Sequence, residues 1–70
     1  MIKKIGIIGC GKIFKKHYEA IKIQEKKNRL KLVAVCDYNI KLLKKINIKN
    51  VKKYPNIRSL LNHEKLDIVS

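Results

Sequence analysis

The chain has 70 residues, below the roughly 100 to 150 of a typical domain, and folded alone it would bury only about 60% of its unfolded surface. That excludes more than one small core. Isoleucine, leucine, valine and phenylalanine fill 24 positions, too many for a disordered chain, and no run approaches the roughly 18 apolar residues that span a bilayer.

Eighteen basic and five acidic residues give a net charge of +13, a balance that ordinarily points to nucleic acid, an anionic membrane or acidic ligands. Lysine supplies 16 of the 18 beside much isoleucine and asparagine, the bias of an AT-rich genome whatever the protein does. The charge alone therefore does not make nucleic acid the expected partner. Met1 to Lys4 followed by Ile5 to Gly11 imitates a secretory signal, but Lys12 cuts the apolar stretch short and no small-residue cleavage site follows. A cytoplasmic protein is the expectation. Cys10 and Cys36 have neither metal-ligand spacing nor a disulfide framework, so reduced thiols are expected.

Ile5 to Ile8 form an apolar block, and Leu30 to Cys36 a second one rich in β-branched residues. Both read as strands covered on two faces. Between them, at about 100° per residue, Ile13, His17, Ala20, Ile21 and Gln24 share one side of a helix over residues 12 to 27. Lys12, Lys15, Lys16, Lys22, Lys26 and Lys27 gather on the other, as a solvated face or as a grip for a polyanion. Asn28 suits a left-handed cap, and the cations before it suit the negative end of the helix dipole. Strand, helix and strand in this space predict a right-handed βαβ unit.

The pattern then repeats. A second helix is predicted over residues 39 to 46, a third strand from Val51 to Tyr54, a turn at Pro55-Asn56, a third helix over 57 to 64 and a fourth apolar strand from Leu66. The fold class is thus α/β, a Rossmann-like doubly wound parallel sheet cut after about four strands, with residues 1–70 forming the front part of a longer protein.

Gly9-Cys10-Gly11-Lys12-Ile13-Phe14 sits at the junction of the first strand and the first helix. The first glycine permits a tight turn and the second lets backbone approach a pyrophosphate. The helix start adds free N–H groups, from about Lys12 and Ile13, and a positive dipole end. Phe14 stands where this pattern normally has Gly or Ala. Asp37, directly after the second strand, occupies the place of a carboxylate that accepts from adenosine ribose hydroxyls, the favoured reading; the plainer alternative is a turn or N-cap aspartate before the second helix. Lys12 is unfavourable against the dipole unless an anion is bound. Cys10, at the helix start, is expected to be reactive. His17 and His63 have no triad partner, no metal set is formed, and Tyr38 could lie along an adenine or simply cap the sheet.

"IGIIGCGKIFKKHYEAI", "LKLVAVCDYN" and "YPNIRSLLNHEKLDIVS" resemble the N-terminal part of the Gfo/Idh/MocA (glucose-fructose oxidoreductase / inositol dehydrogenase) family. The resemblance implies the first part of an NAD(P)-binding Rossmann domain, followed in the complete protein by a second α/β domain. It implies an oxidoreductase acting on a hydroxyl or carbonyl of a sugar, inositol or sugar nucleotide, homo-oligomeric when complete. Gly9, Gly11, Lys12 and Ile13 would form the pyrophosphate turn and Asp37 would meet the ribose, with NAD favoured and NADP possible. The family's catalytic Glu-Lys-Pro motif has no counterpart here, so no catalytic residue is assigned. The competing expectation is a small basic module that binds RNA or another polyanion.

Overall fold

The computed structural model describes residues 2–12 and 14–70. In chain order these form β1 (Lys3–Ile8), α1 (Phe14–Lys26), β2 (Leu30–Cys36), α2 (Ile40–Lys45), β3 (Lys52–Tyr54), α3 (Ile57–His63) and β4 (Ile68–Val69). The strands make one sheet in the order β3-β2-β1-β4, every neighbouring pair parallel. The predicted α/β class and parallel sheet are what is found.

The helix ends follow from local chemistry. Asn28 takes the left-handed conformation (φ 57) and donates to Glu25 O at 3.0 Å. Arg29 N donates to Gln24 O at 3.0 Å. The pair closes α1 as a Schellman motif, the cap expected of an asparagine there. Asn39 caps α2 by accepting from Lys41 N and Leu42 N, and Asn56 caps α3 by accepting from Ser59 N. Each side chain satisfies backbone donors that the first helical turn leaves over.

Helices α1 and α2 cover one face of the sheet, where Ile5, Ile7, Leu32 and Val35 pack against Phe14, Ile21 and Leu43. Helix α3 covers the other through Leu60, against Ala34 and Cys36. Burial of β2 on both faces agrees with its continuous apolar run. The register slips between Ile5 and Gly6, so Val33 has no Cα partner on β1. This bulge puts Leu32 and Val35, three residues apart, into the same core cluster.

One expectation about packing fails. The inward stripe of α1 is Phe14, Tyr18 and Ile21, while His17 and Ala20 are exposed; Ile13 lies outside the described residues. The helix turns its larger apolar area to the sheet, and the Phe14 and Tyr18 rings stack there with centroids 6.0 Å apart. Strand β4 forms where an apolar strand was predicted; its Ile68 and Val69 are exposed, and among the described residues it pairs with β1 alone. Leu66, just before it, is the residue that packs, lying over Gly6.

Candidate functional site

The sheet order changes direction at β1, and the crevice beyond the C-terminal strand ends at such a switch point is where doubly wound folds receive ligands. The glycine turn lies there. Gly9 has φ +96, a conformation that side-chain-bearing residues rarely adopt, and its N–H donates to Cys36 O at 2.7 Å. Among the described residues, chain neighbours aside, a Cβ placed on Gly9 or Gly11 would meet nothing within 4 Å. Phe14 N donates to Gly11 O at 3.0 Å as α1 begins, and the Gly11 and Lys12 amides meet no acceptor among the described residues. Open space over two glycines beside unpaired backbone donors fits a phosphate group.

Asp37 closes the neighbouring strand end. Its Oδ1 accepts from Asn39 N and its Oδ2 from Cys10 N, both at 2.7 Å, while its own N–H donates to Tyr54 O at 3.2 Å. The hydrogen bond from Asn39, followed by that from Cys10, holds the carboxyl below the usual range. It therefore stays an anion at neutral pH. A carboxylate has about four acceptor positions, so two remain for further donors such as hydroxyls. The bond to Cys10 joins residues 27 apart in sequence, and nothing in the spacing of the chain announces it.

Cys10 is not the reactive thiol expected. It is buried in the core cluster beneath α1, with Sγ directed at Cys36 O at 3.7 Å. Burial first, then the charge of Asp37 and the proximity of Cys36, push its thiol up to about 11. Burial and Asp37 also raise Cys36. The two cysteines do share one rim, but their side chains join core clusters on opposite faces of the sheet.

The other candidates scatter. Lys12 is exposed beside the turn, and Tyr38 is exposed just beyond Asp37. Ser70 Oγ lies 3.4 Å from His17 Nδ1, so the end of β4 meets α1 on the side of the turn away from Asp37. His63 accompanies a contact that sequence reading missed, in which Tyr54 Oη donates to Glu64 and its ring stacks on the His63 ring. That hydrogen bond pushes Tyr54 up to about 12 and ties β3 to the end of α3. Among the described residues no group of three His, Cys, Asp or Glu side chains is placed to hold a metal ion, and no helix is long and apolar enough to cross a membrane.

A parallel sheet ordered β3-β2-β1-β4, with helices on both faces and a glycine turn at the switch point, is a Rossmann-like nucleotide-binding fold. Residues 3–70 match the Gfo/Idh/MocA family, described as an oxidoreductase family with an NAD-binding Rossmann fold, and the chain belongs to that family. Two solved structures are similar. The WlbA dehydrogenase of Bordetella pertussis, in complex with NADH and UDP-GlcNAcA, superposes with a TM-score of 0.85 at 26% identity, over 99% of this chain and 21% of that one. The WlbA dehydrogenase of Chromobacterium violaceum, also in complex with NADH and UDP-GlcNAcA, gives 0.80 at 25% identity, over 96% of this chain and 19% of that one. This chain thus spans about a fifth of their length. No curated protein matches it.

Proposed function

We propose that residues 1–70 are the front part of the NAD(P)-binding domain of an oxidoreductase acting on a sugar, inositol or sugar-nucleotide hydroxyl or carbonyl. The observation that carries this reading is the pairing of an open glycine turn with the Asp37 carboxylate at adjacent strand ends. Gly9 and Gly11 give the pyrophosphate its approach, Lys12 adds a cation beside it, and the free positions on Asp37 accept from the adenosine ribose. Ile13, the remaining residue of the expected pyrophosphate turn, lies outside the described residues. NAD, when bound, supplies the hydride chemistry. The complexes of the two WlbA dehydrogenases with NADH and UDP-GlcNAcA support both the cofactor and a sugar-nucleotide type of substrate. A homo-oligomeric, cytoplasmic full-length enzyme with no nucleic-acid partner completes the reading.

Asp37 also favours NAD over NADP, because an anion held by two backbone amides repels a 2′-phosphate. Titration calorimetry of the full-length protein tests both statements. Gly11→Val, which fills the space over the turn, is expected to weaken NAD binding by about tenfold or more, and Asp37→Ala to weaken NAD more than NADP. Tighter NADP than NAD binding by the unchanged protein overturns the preference. Binding that ignores Asp37 and Gly11 but falls steeply with salt overturns the function in favour of a polyanion-binding module.

A further inference from the structure

The Asp37 carboxylate stands between two strand ends rather than facing outward alone. Its Oδ2 reaches across the rim to Cys10 N, inside the glycine turn, and its Oδ1 is fixed by Asn39 N, both at 2.7 Å. These are the short distances of charge-assisted bonds. With both oxygens engaged, the carboxylate is held against rotation. The strand that carries it is held as well, by Gly9 N donating to Cys36 O at 2.7 Å and Asp37 N donating to Tyr54 O at 3.2 Å. Gly9 and Gly11 contribute no side chain to packing, so the turn is fixed by backbone bonds, by the buried Cys10 and by this carboxylate.

From this geometry we infer that Asp37 is a positioning residue for the Gly9-Cys10-Gly11 turn, a role separate from the ribose contact proposed above. The inference rests on the reading of that turn as the pyrophosphate site. One side chain then sets both halves of the adenylate contact. By taking the Cys10 N–H it fixes the peptide between the two glycines, and so the direction in which the following Gly11 and Lys12 amides face. By its remaining acceptor positions it receives the hydroxyls. An Asn at position 37 would place an NH2 donor or a neutral oxygen against the Cys10 donor, weakening the first role and the second together.

The two roles separate when the ligand is changed as well as the protein. The full-length protein and its Asp37→Asn and Asp37→Ser variants would be titrated with NAD and with an NAD analogue that lacks both adenosine ribose hydroxyls. If Asp37 acts through the hydroxyls alone, all three proteins bind the analogue equally. The positioning role predicts that both variants still bind the analogue more weakly, by about tenfold, the scale of one lost hydrogen bond to a charged group. Analogue affinities within twofold of each other overturn it.

Hydrogen exchange at the Cys10 amide adds a readout that general loosening of the fold would not move by itself. Protection is expected at Cys10 in the unchanged protein and its selective loss in both variants, with Ile7 in the core still protected. A Cys10 amide that exchanges freely in the unchanged protein overturns the inference without any variant. Should the unchanged protein bind NAD and the analogue equally, the ribose contact fails while the positioning role is still decided by the variants. Should it bind neither, the proposed function fails, and Cys10 exchange alone decides whether Asp37 holds the turn.

Discussion

The two faces of the sheet are built to different depths. Under α1 and α2 the core includes Ile5, Ile7, Phe14, Ile21, Leu32 and Leu43, whereas under α3 the fully buried side chains are Ala34, Cys36 and Leu60. Length explains much of this. Helix α1 has 13 residues and α3 has 7, so at 1.5 Å per residue they lay down about 20 Å and about 10 Å of contact. The glycine turn is continuous with the deeper face through Cys10 and Phe14 on either side of Gly11. Asp37, whose bonds run to Cys10 and Asn39, links that turn to the start of α2 on the same face. The rim that carries the glycine turn and Asp37 is therefore an extension of the better-packed half of the molecule, and the thinner half meets it through the Tyr54 carbonyl and Ser70.

The largest test of this contrast is Phe14→Ala. The glycine pattern alone says that a small residue here should suit the turn, but the structure makes Phe14 a core member stacked on Tyr18. Urea denaturation is expected to show a loss of about 3–5 kcal/mol, the range for removing a buried phenylalanine. A neutral or stabilising result would mean that the deeper face does not depend on this ring. On the thinner face, Gly6→Ala should cost less, about 1–3 kcal/mol, because the new methyl would sit 2.7 Å from Leu66 Cδ1 and one side chain must shift. A second substitution, Leu66→Val, should recover part of that loss; no recovery would show that backbone rather than Leu66 resists the methyl.

The smallest effect is a pH dependence tied to the rim. Below pH 9 the Cys10 thiol is neutral in the folded and unfolded chain alike, so it adds no pH dependence there. Between 9 and about 11 the unfolded thiol ionises while the buried one keeps its proton. Stability should therefore fall as pH rises through this window. The difference between the unchanged protein and Cys10→Ala, followed by unfolding at pH 8, 9, 10 and 11, isolates this contribution from the lysines and Tyr54. A difference that stays flat would show that Cys10 is not buried in solution. Iodoacetamide should likewise label folded Cys10 slowly at pH 8, with or without cofactor.

Periodicity and punctuation determined the elements. The apolar runs at Ile5 to Ile8 and Leu30 to Cys36, the asparagines at 28, 39 and 56 and the Pro55 turn are local signals, and each marks an element or cap found in place. The order of those elements carried the parallel α/β class, and the Gly9-Cys10-Gly11 turn with Asp37 carried the candidate site. Tertiary structure decided what local signals cannot encode. On α1, the stripe through His17 and the one through Phe14 both had helical spacing, and the choice fell to the one with more apolar area to remove from water. The bulge at Val33 reversed the parity of β2, an outcome set by pairing with β1 rather than by alternation within the strand. The burial of Cys10 and its amide bond to Asp37 join residues 27 apart, a closeness that exists only once β1 and β2 lie side by side.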